Sequence, residues 1–183
     1  MTIAIRTGRL TLRPVGERDE ERLFALFADW EVIRWLSSPP WPYTREDMRS
    51  FVRGQATLAP EDAETRLVIR LEHEPIGIVG VRIKAADHVQ RGTGPNIGYW
   101  LGRPYWGRGY MTEALAGVVR HLFASTPHDA IYCGAFVENP ASLRVQEKVG
   151  FVPDGETMLY SRPRGGDFPH INTVLTRGAL ASG

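Results

Sequence analysis

The sequence has little of what marks secreted, metal-binding or membrane proteins. A single cysteine among 183 residues, Cys133, excludes an intramolecular disulfide and a multi-cysteine metal site. The opening residues lack the apolar core of a signal peptide, and no apolar run is long enough to cross a bilayer. Internal repeats, low-complexity tracts and linkers are also missing. These absences predict a soluble, cytoplasmic protein that holds no metal.

The charges are nearly balanced. Twenty-two Lys and Arg against 21 Asp and Glu give a net charge of +1, so no basic excess favours nucleic acid or a membrane surface as a partner. The length suits one domain with a sizeable core. We therefore expect residues 1–183 to form a single domain, with a frayed tail over 179–183.

One segment, residues 96–123, combines a strand, a glycine-rich turn and a helix. The apolar run Ile97–Leu101 has the side chains of a strand, and apolar residues recur at helical spacing after Met111. Between them, Gly107 and Gly109 would let the backbone come close to a ligand. Because the first turn of a helix has free N–H groups and favours an anion, this segment predicts a phosphate cradle, with Arg108 as an added cation.

A second segment begins another helix. Asn139 followed by Pro140 is typical of a helix start, and Gly150 is a natural helix end. Ser142 then lies in the first turn, where a hydroxyl can donate to an anion that the helix N-terminus also favours. Capping alone would explain Asn139, so a catalytic role for Ser142 is one of two interpretations at this point.

The element order predicts a mixed α/β fold. The pattern is strand, two helices, three strands, helix, strand, helix and two strands. We expect a central sheet of about six or seven strands flanked by about four helices. A parallel pair is expected where a helix links two strands.

Three ordered segments, Thr7–Pro14, Ile97–Ala114 and Glu138–Phe151, together resemble the GNAT N-acetyltransferase superfamily. More narrowly, the chain is similar to the RimJ/RimL-type branch, which holds ribosomal-protein N-terminal acetyltransferases. The resemblance implies a GNAT-type domain with splayed CoA-binding strands. It also implies acetyl-CoA as donor and a primary amine as acceptor, with direct attack in a ternary complex.

The resemblance assigns residues to the donor. The superfamily phosphate motif falls on Trp106, Gly109 and Met111, where Trp106 and Met111 depart from the usual residues, although a Trp is usual in this branch. Backbone N–H groups would then hold the pyrophosphate, and Asn139 would lie beside the pantetheine arm. The residues expected to bind the cofactor are Leu101, Arg103, Trp106, Gly107, Arg108, Gly109, Tyr110, Met111, Thr112, Asn139 and Ser142.

The expected catalytic residues are Ser142, Asn96 and Glu138. Ser142 is the candidate proton donor to the thiolate, because no tyrosine stands at a clearly equivalent place. Relatives in this branch often have a Glu before Ile-Gly-Tyr-Trp, where this chain has Asn96, and an amide cannot accept an ammonium proton. Glu138, His170 and Asp167 are the alternatives for a base. An α-amine, with a reference pKa of about 8, also has the option of entering neutral.

The acceptor is open between a protein N-terminus and a small-molecule amine. Trp41, Tyr43, Asn96 and His170 are the expected substrate-binding residues. The oligomeric state is open between monomer and homodimer. The missing Glu also motivates a second hypothesis, a non-catalytic acyl-CoA-binding regulatory module. A dinucleotide-binding fold fits poorly, because Thr112 occupies the place of a third glycine.

Overall fold

The computed structural model describes residues 4–54 and 64–181, which form one mixed sheet with helices on both faces. The strand order is β1-β2-β3-β4-β5-β6-β8-β7. The strands are β1 (Ile5–Arg6), β2 (Leu10–Pro14), β3 (Glu64–Leu71), β4 (Glu74–Lys84), β5 (Gly94–Leu101), β6 (Ala130–Phe136), β7 (Val152–Ser161) and β8 (Gly166–Thr176). The helices are α1 (Glu20–Phe27), α2 (Trp30–Ile33), α3 (Arg45–Gly54), α4 (Tyr110–Ser125), α5 (Pro140–Val149) and α6 (Arg177–Ala181).

The predicted mixed α/β architecture is confirmed, with one more strand than expected. The addition is β1, whose two residues are too few to show an alternating pattern and which pairs through Ile5 with Leu12 of β2. The apolar run in the sequence predicts that the last strand begins at Ile171, whereas it begins at Gly166, because its polar first residues pair with β7. The sequence from Thr44, with Asp47 three residues on, predicts a helix to about Leu58, and that predicted end lies outside the described residues.

The start of the predicted frayed tail is helical. Helix α6 takes in residues 179–181. The Arg177 guanidinium, at its first residue, donates to the carbonyls of Thr126 (2.9 Å) and His128 (2.8 Å). These bonds hold the beginning of the helix against the segment that follows α4.

Two hydrophobic clusters cover the two faces of the sheet. Ile97 and Leu101 of β5 pack with Leu115 of α4, which defines the α4/α5 face. Trp100 of the same strand packs instead with the cluster that contains Phe27, which defines the α1–α3 face. Since side chains alternate along a strand, Tyr99 points to the α4/α5 face, and Asn96 and Gly98 point to the α1–α3 face.

The sheet opens between β5 and β6. These parallel strands are joined at the single register pair Asn96–Tyr132, whereas β4 and β5 pair continuously from Gly94 to Leu101. Just beyond the pair, the Cys133 thiol donates to the Ile97 carbonyl at 3.1 Å. The predicted splay is thus present, and it leaves strand backbone available to a ligand. No helix in residues 4–54 and 64–181 has the length and apolar character to span a membrane.

Candidate active site

A cavity of about 950 Å³ joins the two faces of the sheet at this opening. Met111 and Ser142 line it on the α4/α5 face, and Phe27 and Tyr43 line it on the α1–α3 face. A cavity with walls on both faces can admit two different molecules from opposite sides.

The glycine turn before α4 has the geometry of an anion cradle. Gly107 and Gly109 have φ angles of 72° and 76°, in the left-handed region that disfavours side chains. The first bond of the helix is donated by the Glu113 N–H to the Gly109 carbonyl at 3.1 Å. The N–H groups of residues 110–112 therefore have no acceptor within the helix and are available to an anion.

The cradle is fastened to the N-terminal hairpin through Glu113. One carboxylate oxygen of Glu113 accepts from the Thr7 hydroxyl (2.6 Å) and the Arg9 N–H (2.7 Å), and the other pairs with the Arg9 guanidinium at 2.7 Å. Arg9 also donates to the Arg108 carbonyl at 3.1 Å. Burial raises the pKa of Glu113, but these hydrogen bonds and the Arg9 charge outweigh burial and lower it. Sequence reasoning favours a solvated Glu113, which the structure corrects.

The departure at Trp106 has a structural reason. Its indole N–H donates to the Leu101 carbonyl at 2.7 Å, which ties the turn to the end of β5. Arg103 pairs with Asp29 at 3.0 Å, so its charge is partly engaged. Arg108 lies between the two glycines of the turn. Its exposed side chain has no partner among the residues the structure describes, so its charge is available to an anion at the turn.

A pair of hydroxyls lies at the start of α5. Asn139 caps the helix by accepting from the Ser142 N–H at 3.2 Å, as expected. The Ser142 hydroxyl is 2.8 Å from the Tyr99 hydroxyl, and Gln146 donates to the two oxygens at 3.3 and 3.2 Å. Burial raises the pKa of Tyr99, with a smaller contribution from Cys133, so the phenol keeps its proton. The pair can donate a proton toward the opening of the sheet.

Tyr99 and Gln146 are the residues that sequence reasoning missed. Gln146 is almost fully buried, and it also accepts from Thr173 (2.7 Å) and donates to the Gly134 carbonyl (3.1 Å). Two signals were available. Tyr99 lies on the same face of its strand as Ile97 and Leu101, two residues from each, and Gln146 lies one helical turn after Ser142. Neither signal specifies that two segments 43 residues apart meet.

On the α1–α3 face, Asn96 braces a loop. Its amide donates to Gln90 at 2.9 Å, and the buried Gln90 donates in turn to the Gly92 carbonyl at 2.7 Å. Asn96 and Tyr43 both line the cavity. Burial, followed by the Asp47 charge, raises the pKa of Tyr43. Trp41 instead packs on Trp30 with ring centroids 5.2 Å apart and lies outside the cavity.

The three alternatives for a base differ in position. Glu138 pairs with Arg164, whose guanidinium lies 3.6 Å from the Phe168 ring, so the carboxylate is engaged by the β7–β8 turn. Asp167 is exposed on β8. His170 is buried, lines the cavity and is hydrogen-bonded through Nδ1 to Asn172 Oδ1 at 2.8 Å. Within the described residues, no cluster of three or more His, Cys, Asp or Glu side chains could hold a metal.

Comparisons with known proteins identify the family. The family model described as "Acetyltransferase (GNAT) domain" matches residues 9–152. The chain is 30% identical to the uncharacterized N-acetyltransferase YoaA of Bacillus subtilis over 88% of this chain and 89% of that protein. It is 29% identical to the ribosomal-protein-serine acetyltransferase of Escherichia coli, over 85% and 86%.

A solved structure agrees with the fold. Mycobacterium smegmatis RimJ in complex with CoA-disulfide superposes with a TM-score of 0.81 at 24% identity, over 98% of this chain and 88% of that one. The chain belongs to the GNAT acetyltransferase family. The family resemblance and the enzyme class predicted from the sequence, an acetyl-CoA-dependent N-acetyltransferase, are thereby confirmed.

The residues present fit the donor. An added Cβ at Gly107 would find no atom within 4 Å, so the turn has open space in front of it, and free N–H groups follow at 110–112. The open edge of β5 begins beyond Asn96, on the way from this turn to Ser142. The cradle, the opening and the hydroxyl pair are thus all on or next to the cavity.

Proposed function

We propose that the protein transfers the acetyl group of acetyl-CoA to a primary amine by direct attack in a ternary complex. The acceptor is a protein N-terminal α-amine or a small-molecule amine. The observation that carries the proposal is the Tyr99–Ser142 hydroxyl pair, 2.8 Å apart, at the helix start beside the opening of the sheet.

The donor binds from the α4/α5 face. Backbone N–H groups of residues 107–112 hold the pyrophosphate, with Arg108 as the supporting cation. The open backbone of β5 pairs with the pantetheine amides, and Asn139 lies beside that arm. This arrangement directs the thioester toward Ser142, whose N–H is already engaged by the Asn139 cap.

The hydroxyl pair acts on the leaving sulfur. As the C–S bond breaks, its electron pair moves to sulfur, which takes a proton from Ser142 or Tyr99. Gln146 holds both oxygens in place, and its remaining bonds to Thr173 and Gly134 fix its own orientation. The N-terminus of α5 adds a favourable field for the developing thiolate.

The acceptor enters from the α1–α3 face, so donor and amine meet without sharing a path. Tyr43 and Asn96 line this part of the cavity. Gly98 lies on the same face and lines the cavity. A Cβ added there would have no atom within 4 Å, so the space above this part of β5 is open. An α-amine, with a pKa of about 8, reaches its neutral form more readily than a lysine side chain, with a pKa of about 10.4.

A thiol-release assay with acetyl-CoA tests this function. The panel comprises peptides with free N-termini, the same peptides with blocked N-termini, and small amines, with the products identified by mass spectrometry. We expect CoA release matched by an N-acetylated product for at least one free amine. CoA binding without turnover on any acceptor would instead support the non-catalytic regulatory module, which the missing Glu at Asn96 favours.

A further inference from the structure

The imidazole of His170 lies across the strand next to the opening of the sheet. Strand β6 separates β8, which carries His170, from β5, and the opening lies between β5 and β6. A Cβ added at Gly134 of β6 would be 2.3 Å from His170 Cε1 and 3.0 Å from Nε2. Any side chain at position 134 would occupy the space that the imidazole fills, so the glycine lets the ring extend toward the opening.

The hydrogen bonds of His170 fix its tautomer. Nδ1 is 2.8 Å from Asn172 Oδ1, an acceptor only, so Nδ1 carries the proton. The Asn172 Nδ2 donates to the Thr157 hydroxyl at 3.5 Å, and this bond orients the amide. Nε2 therefore keeps its lone pair, and among the described residues it has no hydrogen-bond partner, while the ring lines the cavity.

Neighbouring groups keep this imidazole neutral. Burial lowers the pKa of His170 below its usual value, and the bond to Asn172 opposes that shift only in part. Phe136 of β6 contacts the ring edge-on at 5.6 Å, and Thr157 of β7 faces Asn172. The Arg164 guanidinium lies over the same Phe136 ring, but it is paired with the Glu138 carboxylate, so the two charges cancel.

The two faces of β6 carry complementary groups at one residue. Gly134 contacts the His170 ring on the α1–α3 face, and its carbonyl accepts from Gln146, which holds the Tyr99–Ser142 pair on the other face. A proton acceptor and a proton donor thus lie on opposite sides of the strand that borders the opening.

We propose that His170 is the general base of the reaction, with Asn172 as its positioning residue. This inference rests on the proposed acetyl transfer. His170 would serve as base in place of the Glu that relatives of this branch often have before Ile-Gly-Tyr-Trp. As the amine nitrogen forms the C–N bond, its proton moves to Nε2 and Asn172 Oδ1 stabilises the resulting imidazolium. The C–S electron pair leaves with sulfur, which takes a proton from the hydroxyl pair. The imidazolium then releases its proton to water, and the hydroxyl pair recovers one from water.

The test compares pH profiles of kcat/KM for the wild type, His170→Gln and Asn172→Asp, with acetyl-CoA and the best acceptor of the panel. For His170→Gln we expect kcat to fall by about 100-fold, as for loss of a general base, with acetyl-CoA affinity unchanged. The wild-type profile should lose activity as the pH falls through a value below 6.5, where the imidazole takes up a proton. Asn172→Asp should move this acid limb to higher pH, because a carboxylate stabilises the imidazolium.

The control is His73→Gln, which changes an exposed turn histidine in the same way and should leave the profile unchanged. Thermal unfolding and acetyl-CoA binding report whether each variant is folded; should His170→Gln not fold, the shift in Asn172→Asp decides. A folded His170→Gln with turnover close to the wild type, or an Asn172→Asp profile with an unmoved acid limb, would overturn the base role and leave the acetyltransferase function intact. A wild type without turnover on any amine would remove both.

Discussion

The two faces of the sheet opening are built in different ways. On the α4/α5 face, backbone groups of one continuous turn and the first turn of a helix form the anion cradle. On the α1–α3 face, the cavity is lined by single side chains from separate elements, among them Tyr43, Asn96 and His170. Backbone geometry suits an anionic group such as a pyrophosphate, whereas scattered side chains can change from one acceptor to another.

This difference predicts separable effects of substitution. Changes on the α4/α5 face should alter binding of acetyl-CoA or the departure of its sulfur, without changing the affinity for the amine. Changes on the α1–α3 face should alter the kinetic constants for the amine. The four predictions below are ordered from the largest expected effect to the smallest.

The hydroxyl pair should dominate turnover. We expect Ser142→Ala and Tyr99→Phe each to lower kcat, and the double variant to lower it on the order of 100-fold, the lower range for general acid catalysis. Because the two hydroxyls share one hydrogen bond, the double variant should lose less than the product of the single losses. Steady-state kinetics with a binding measurement for acetyl-CoA checks this.

Tyr160→Phe is the matched control, since Tyr160 is exposed on β7. Its kcat should equal that of the wild type. Unchanged turnover in both Ser142→Ala and Tyr99→Phe, with chemistry shown to be rate-limiting, would contradict the acid role.

Gly109→Val should weaken acetyl-CoA binding by about 10-fold, because a non-glycine residue at positive φ costs about 1–3 kcal/mol in the conformation the cradle requires. The control is Gly165→Val, which adds the same side chain at a φ of 68° in the β7–β8 turn. Calorimetric titration should find normal affinity in the Gly165 variant. Equal losses in both variants would show a general effect on folding rather than a cradle.

Glu113→Gln should reduce acetyl-CoA affinity about threefold, because partly exposed ion pairs contribute about 0.2–1 kcal/mol. The variant loses the negative charge that pairs with Arg9 but keeps an oxygen that can accept from Thr7. Glu46→Gln, which removes an exposed pair with Arg49 on α3, is the control. Identical affinities for the two variants would contradict the role of Glu113 in holding the turn.

Asn96→Ala should have the smallest effect, about a twofold rise in KM for the amine, near the low end of the about 0.5–1.5 kcal/mol that one neutral hydrogen bond contributes. Its amide bonds Gln90 and so supports the loop at the edge of the cavity. The KM for acetyl-CoA should not change. A loss of kcat as large as that of His170→Gln would make Asn96 itself part of the proton transfer.

The contrast between the faces also explains what could be predicted from the sequence. The glycine turn, the α5 cap and the parallel pair are local patterns in continuous segments, and the structure has all three. Strand β1 was missed because two residues carry no periodicity. Glu113 was misread because its partners, Thr7 and Arg9, lie more than 100 residues away.

The remaining site residues depend on strand register, which no local pattern specifies. Tyr99 meets Ser142 only because β5 lies beside α5 across the opening. His170 reaches across β6 only because its strand is aligned so that Asn172 faces Gly134. His170 was among the candidates from the sequence and Tyr99 was not, but for both residues the pairing that makes the side chain useful for chemistry is tertiary.

A crystal structure with a bisubstrate analogue, CoA joined through its sulfur and a –CH₂–CO– bridge to the amine of the best acceptor, tests the central claim most directly. We predict the pyrophosphate on the N–H groups of residues 107–112 and the sulfur within hydrogen-bond reach of the Tyr99–Ser142 pair. The amide nitrogen should lie on the α1–α3 side, facing His170 Nε2. An acceptor group that leaves the cavity on the α4/α5 face, or a pyrophosphate bound away from the glycine turn, would contradict the two-sided site.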